Sequence, residues 1–201
     1  MKKAASLISF IFSPLLVPTY GVCIAMHTTV LSVLPARVLW GVPLVAFIVT
    51  CVMPLIAIGG MWKLGYVKDM GLNNRTERTA PYIITAVCYI LCGVYLYKSN
   101  APAWLIMFMG GGTLAIVVSM VVNRWWKISA HMAAMGGLLA LTVRISMSDL
   151  ATTDMIWWVC GAVICCGLVG SSRLYLERHT LMQVIAGTAN GFVCVLLMSL
   201  L

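Results

Sequence analysis

The residues of this chain that could do chemistry are basic side chains, two imidazoles, a serine hydroxyl and one amide, and they fall in three short polar segments. The candidates are Lys68, Arg75, Arg78, Ser129, His131, Arg173, His179 and Gln183. Guanidinium groups match the oxygens of a phosphate in bidentate geometry. Two imidazoles can divide the roles of nucleophile and proton donor. The combination indicates phosphate chemistry, although each segment alone would be an ordinary interfacial cluster.

Both histidines stand at the start of apolar runs that follow polar segments. Ser129 and His131 open one run, and His179 opens another. The N-terminus of a helix offers unpaired N–H groups and a positive dipole end, which favour a bound anion. Gln183 lies four residues after His179 and so shares its helix face. We therefore expect the Gln183 amide oxygen about 2.7–3.2 Å from His179 Nδ1.

The elements that position these residues must be membrane helices. The 201 residues are 62% hydrophobic and only 9% charged, whereas soluble domains carry roughly a quarter charged residues. Only a bilayer suits such a surface, so we expect one integral multi-pass domain over residues 1–201. The net charge is +8, but the Lys and Arg lie in short gaps with no surface for a duplex. Membrane lipids and an anionic lipid substrate are the expected partners, and nucleic acid is not.

Seven runs lack Asp, Glu, Lys and Arg and are long enough, or nearly so, to cross a bilayer. They are residues 4–36, 38–62, 79–97, 99–123, 128–143, 155–172 and 179–201. The expected fold is all-α, a polytopic transmembrane helical bundle of six to seven spans. Pro14 and Pro18 interrupt the first run, which predicts either a kinked span or a re-entrant element.

The distribution of basic residues predicts an orientation. Of the 13 Lys and Arg, all except Arg37, Lys98 and Arg144 fall on the side that carries the three polar segments. By the positive-inside rule that side faces the cytoplasm, in a bacterial inner membrane, although several of these residues are also candidate substrate ligands. The eight cysteines all lie inside apolar runs and none has a histidine at metal-ligand spacing. We therefore expect them to be small buried hydrophobic residues.

The three segments resemble the signature of the type 2 phosphatidic acid phosphatase superfamily, which includes lipid phosphate phosphatases and vanadium haloperoxidases. Its motifs are K-x-x-x-x-x-x-R-P, P-S-G-H and S-R-x-x-x-x-x-H-x-x-x-D. The first appears here as Lys68 and Arg75, with Thr76 in place of proline, and Arg78 near Pro81 is an alternative arginine.

The second and third motifs are also partly preserved. The second retains its serine and histidine, and the third retains its serine, arginine and histidine at full spacing. The retained residues are Ser129, His131, Ser172, Arg173 and His179. Gln183 stands where the superfamily has aspartate.

The resemblance implies an enzyme that hydrolyses phosphoric esters of lipids without a metal or cofactor. It assigns His179 as the nucleophile that forms a phosphohistidine and His131 as the acid for the leaving lipid oxygen. It assigns the phosphate oxygens to Lys68, Arg75 or Arg78, Ser129 and Arg173. The implied substrates are phospholipid, polyprenyl or lipid A phosphates. Two alternatives stay open: an inactive relative that binds or moves anionic lipids, and a small transporter.

Overall fold

The computed structural model describes residues 1–68 and 74–200, and within these ranges the chain is built from nine α-helices. They are α1 (Lys2–Ile11), α2 (Val17–Thr28), α3 (Ala36–Phe47), α4 (Met53–Lys63), α5 (Thr79–Lys98), α6 (Ala103–Val122), α7 (Ala130–Ser146), α8 (Ile156–Tyr175) and α9 (Leu181–Ser199). The all-α prediction is confirmed. The described residues form no named strand, only an isolated bridge between Thr29 and Ala151.

Five helices of the described chain are long and apolar enough to cross a membrane. They are Ala36–Lys63, Thr79–Lys98, Ala103–Val122, Ile156–Tyr175 and Leu181–Ser199. The helix Ala130–Ser146 is apolar but shorter, because Arg144 and the polar residues after it end the run. The membrane character of the sequence is thus confirmed, whereas the predicted count of six to seven spans is not.

The N-terminal run is broken where the prolines are. Helix α1 ends at Ile11, and α2 begins at Val17 with Pro18 in its first turn, where a missing N–H does no harm. The two helices have 10 and 12 residues, and a span of about 30 Å needs about 20 residues. Neither can cross alone, so residues 4–36 do not form one continuous span. Instead, α1 packs on α8, and α2 packs on α3 and α7.

The second run forms a single long rod in spite of its prolines. Helices α3 and α4 are joined by a π-helical turn over Ile48–Val52, which absorbs the disturbance that Pro43 and Pro54 make in the backbone ladder. Leu55 and Ile58 of α4 line the central cavity described below. The rod therefore supplies one apolar wall of the site.

The packing of α7 on α9 fixes the two histidine-bearing ends against each other. Gly187 and Gly191 of α9 face the backbone of α7 at Ser129 and Ala133. A Cβ added to Gly187 would lie 2.6 Å from the Ser129 carbonyl oxygen, and one on Gly191 would overlap the Ala133 carbonyl. Such a close approach is typical of two small residues four positions apart on a membrane helix. Because the contact is at the first turn of α7, it sets the position of His131 relative to α9.

Candidate functional site

A tight turn between α8 and α9 brings the third polar segment back onto itself. Arg173 lies in the last turn of α8, and Glu177 adopts a left-handed conformation with φ of 54°. The Arg178 N–H then donates to the Arg173 carbonyl at 3.1 Å, which closes the helix end in the manner of a Schellman motif. As a result Arg173 and His179 line the same cavity.

The start of α9 holds the His179 ring. Thr180 and Gln183 form a capping box, in which Gln183 Oε1 accepts the Thr180 N–H at 3.3 Å. The same oxygen lies 3.1 Å from His179 Nδ1, so the predicted hydrogen bond is present. Because an amide oxygen only accepts, Nδ1 carries the hydrogen and the Nε2 lone pair of the neutral ring is left for a substrate.

The ring of His131 is fixed by a residue that the motifs do not include. His131 Nε2 lies 3.1 Å from the carbonyl oxygen of Ser9, in α1. A carbonyl only accepts, so Nε2 carries the hydrogen and Nδ1 is the unprotonated nitrogen of the neutral ring. Helix α1 is therefore part of the site, and no sequence signal marked Ser9 for this contact.

The structure separates the two arginines that were alternatives for the first motif. Arg78 is only 7% exposed and lines the cavity that holds both histidines, and its Nη1 donates to the Ile128 carbonyl at 3.2 Å. Arg75 lies outside that cavity, where its Nη1 donates to the Trp125 carbonyl at 2.6 Å. Arg75 lines a separate surface pocket with Arg124.

Two further candidates are not among the residues that line the cavity. Lys68 is exposed, and its backbone N–H donates to Glu77 Oε2 at 2.8 Å. Ser129 is fully buried and caps α7, since its hydroxyl oxygen accepts the Met132 N–H at 3.4 Å. The serine thus positions the helix that carries His131.

The cavity has a volume of about 450 Å³ and two chemically different ends. One end is lined by Arg78, His131, Arg173 and His179. The rest is mainly apolar, and it runs past Phe10, Leu55, Ile58, Tyr89, Phe108 and Met109. Such a volume is in the range of small-molecule sites. Chemically, the arrangement suits an anionic group attached to a long apolar body.

No family model matches this sequence, and no similar curated protein or solved structure is found. The case for a function therefore rests on the residues of the cavity. Among the described residues, no three His, Cys, Asp or Glu side chains are grouped so that they could hold a metal ion.

The end of the cavity that is lined by Arg78, His131, Arg173 and His179, here called the cation end, concentrates positive charge. Burial lowers the pKa of His179 to about 4; the hydrogen bond to Gln183 opposes this shift, and the charges of Arg173, Arg78 and Lys127 add to it. Burial and the charges of Arg78, Arg173 and Arg178 also lower the pKa of Lys127. His179 is therefore neutral at pH 7, as a nucleophile must be, and the mutual repulsion of the cations would be relieved by an anion.

Two buried donors on the cavity wall have no acceptor among the described residues: the Arg173 Nε hydrogen and the Tyr82 hydroxyl hydrogen. Buried donors are normally paired. The other unpaired buried polar atoms of the described chain belong to residues outside this lining, namely Ser9, Thr19, His27 and Asn123. The sequence marked Arg173 through its motif, but it gave no signal for Tyr82 beyond its position after Pro81.

Proposed function

We propose that this protein is an integral membrane phosphatase that hydrolyses a phosphomonoester or pyrophosphate of a lipid through a phosphohistidine intermediate. The observation that carries the proposal is that one cavity joins a cation end, with two imidazoles, to a long apolar interior. A lipid phosphate has the same two parts, a dianionic group on an apolar chain. The resemblance of the three polar segments to the phosphatidic acid phosphatase signature supports the same chemistry.

The phosphate is bound at the cation end. Arg173 Nε is a buried donor without a partner in the described chain, and a phosphate oxygen would accept its hydrogen. The Arg78 guanidinium, from the first of the three polar segments, adds a second positive charge close to His179. These donors stabilise the negative charge that develops on the phosphoryl oxygens as the bonds at phosphorus change.

His179 is the nucleophile. Its Nε2 lone pair attacks phosphorus as the bond to the lipid oxygen breaks, which gives a phosphohistidine and a lipid alcohol. Gln183 holds the ring by its Nδ1 hydrogen throughout. A water molecule then attacks the phosphohistidine, inorganic phosphate leaves, and Nε2 recovers its lone pair.

His131 supplies the proton for the leaving lipid oxygen. In the neutral ring the only N–H hydrogen is directed at Ser9, so the proton for the substrate comes from Nδ1 of the protonated ring. A bound phosphate dianion favours that protonated form. When water attacks the intermediate, its proton returns to Nδ1, and the ring is ready for the next turnover.

The proposal includes a location. The protein would lie in a bacterial inner membrane with the cation end at the cytoplasmic surface, since the basic residues are concentrated on that side. The lipid would reach the cavity within the membrane, with its phosphate at the surface and its tail among α1, α4, α5 and α6, which supply the apolar walls.

The experiment that tests the function measures inorganic phosphate released by purified protein in detergent from a panel of lipid phosphates. Wild-type protein should release phosphate without added metal, and His179→Ala should reduce the rate at least about 10³-fold while the protein stays folded and membrane-inserted. Binding of the same lipids with no release by the wild type would favour the alternative, a protein that binds or moves anionic lipids, since the neutral Gln183 supplies no charge to an imidazolium.

A further inference from the structure

Two tyrosines of α5 line the cavity, and their hydroxyl groups differ in one respect. Tyr89 donates its hydroxyl hydrogen to the Pro14 carbonyl at 2.9 Å. Tyr82 is only 9% exposed, and its hydroxyl hydrogen has no acceptor among the described residues; the side-chain hydrogen bond from Arg78 can only be donated to the hydroxyl oxygen. A buried donor without an acceptor destabilises a fold, so its presence in the wall of a binding cavity needs an explanation.

The contact of Tyr82 with Arg78 shows which kind of hydrogen-bond partner the Tyr82 hydroxyl lacks. The charge of the Arg78 guanidinium acts on the Tyr82 hydroxyl, but a guanidinium has donors only and cannot accept the phenol hydrogen. What Tyr82 lacks is therefore an acceptor. An oxygen of a bound anion or of an ester would serve.

The position of Tyr82 along α5 shows where that oxygen must be. Arg78, Tyr82, Thr85 and Tyr89 all line the cavity, at helical spacings that put them on one stripe. Arg78 is at the end that binds the phosphate, and Tyr89 is among the apolar residues. Tyr82 stands between them, at the junction of the headgroup and the tail.

We propose that Tyr82 donates a hydrogen bond to an oxygen that the substrate carries between its reacting phosphate and its apolar tail. This inference rests on the proposed phosphatase function and narrows its substrate class. The protein would prefer lipids with a second acceptor at that place, such as the inner phosphate of a lipid diphosphate or the ester carbonyl of a glycerolipid phosphate. A plain long-chain monophosphate has only methylene groups there.

The test is Tyr82→Phe, which removes the donor and keeps the ring. We would measure kcat/KM for an isoprenyl diphosphate, a diacylglycerol phosphate and the isoprenyl monophosphate of the same tail. The ratio of the diphosphate or the glycerolipid value to the monophosphate value should fall about 10- to 100-fold, the range for a lost hydrogen bond to a charged or buried acceptor. The substrate whose ratio falls identifies the source of the oxygen.

Tyr89→Phe is the matched control. It removes a hydroxyl from the same helix and cavity, but this hydroxyl already donates its hydrogen to the Pro14 carbonyl. It should leave both ratios unchanged. Equal effects of Tyr82→Phe on all three substrates, or no effect on any, would overturn the assignment. Loss of the ratio in Tyr89→Phe as well would overturn it too, because the effect would then be one of general packing.

A binding arm separates failure of this inference from failure of the phosphatase proposal. In the His179→Ala background, where no turnover occurs, affinities for the same three lipids are measured with and without Tyr82→Phe. A selective loss of affinity for the diphosphate or the glycerolipid supports the Tyr82 contact even if the wild type releases no phosphate. Equal affinities for all three lipids with and without the change would rule the contact out.

Discussion

The two ends of the cavity differ in whether their buried donors have hydrogen-bond acceptors within the protein. Toward the apolar interior, Thr85 donates to the Pro81 carbonyl at 2.8 Å and Tyr89 to the Pro14 carbonyl at 2.9 Å. Nearer the cation end, the Arg173 Nε hydrogen and the Tyr82 hydroxyl hydrogen are buried and have no acceptor in the described chain.

The difference separates side chains that stabilise the fold from side chains that we propose contact the substrate. A buried donor without an acceptor costs about 1–3 kcal/mol, and a protein keeps such groups where a functional site uses them. The hydroxyls of Thr85 and Tyr89 carry no such desolvation penalty, because backbone carbonyls accept their hydrogens. Substitutions at the two ends should therefore move stability and activity in different combinations.

The largest expected effect is on turnover, from Arg173→Met. The substitution removes the buried donor and the charge at the phosphate, so kcat/KM should fall at least about 10³-fold. The midpoint of thermal unfolding in detergent should stay the same or rise, because a partly buried cation with an unpaired Nε is replaced by an apolar chain. Arg178→Gln, an exposed arginine of the same turn, is the control and should have little effect. A loss of activity that only follows a loss of folding would contradict this view of Arg173.

Gln183→Asp tests how the chain holds its nucleophile. Gln183 Oε1 serves both the Thr180 N–H and His179 Nδ1, and the aspartate side chain is one methylene too short to serve both. We expect kcat to stay flat or to fall, in assays on purified protein. A gain of more than about tenfold, or about 1.4 kcal/mol in barrier, would mean that the site is a decayed phosphatase that the superfamily acid repairs.

Gln183→Glu keeps the length of the side chain and adds a charge. A carboxylate favours the protonated imidazole, so the pKa of His179 should rise from about 4 by one unit or more. Diethyl pyrocarbonate reacts only with neutral imidazole, so the pH midpoint for modification of His179 measures the shift. In wild-type protein the midpoint should lie well below the ordinary value of about 6.5. An ordinary midpoint in the wild type would contradict the burial and charge that we assign to this ring.

The smallest expected effect is a difference in the free energy of unfolding between Tyr82→Phe and Tyr89→Phe. Tyr89→Phe breaks a buried hydrogen bond to Pro14 and should lower the free energy of unfolding by about 1 kcal/mol. Tyr82→Phe removes a hydroxyl whose hydrogen has no acceptor in the described chain and should leave the free energy of unfolding unchanged or slightly higher. Urea or thermal unfolding of the two variants under one condition decides the point. Equal losses would remove the distinction between the two ends.

Much of this arrangement could be predicted from the sequence because apolar runs and helix ends are local properties. The run 179–201 indicated α9, and the spacing of His179 and Gln183 indicated their hydrogen bond, but His179 lies just before the helix rather than on one of its faces. The capping box from Thr180 to Gln183 is also written in the sequence, and it places the helix start at Leu181. The spacing of Gly187 and Gly191, two small residues four positions apart, is likewise a local feature that suits the close packing at Gly191.

The remainder depended on contacts between distant segments, which spacing does not encode. Arg75 fits the first motif by its distance from Lys68, but the turn of 3₁₀-helix over Arg75–Glu77 directs it to Trp125 and leaves Arg78 at the cavity. Ser9 reaches His131 across 122 residues of chain. The sequence alone left open whether the first run is a kinked span or a re-entrant element. The structure shows a break around Pro14 between α1 and α2, with α1 packed on α8.

The most direct test of the account is to trap the intermediate. Purified protein is mixed with a lipid phosphate labelled at phosphorus, denatured rapidly and digested, and the labelled peptide is identified. The account predicts acid-labile, alkali-stable phosphate on the peptide that contains His179, and none in His179→Ala. Turnover of the substrate by the wild type with no phosphate on His179, or with phosphate on another residue, would contradict it.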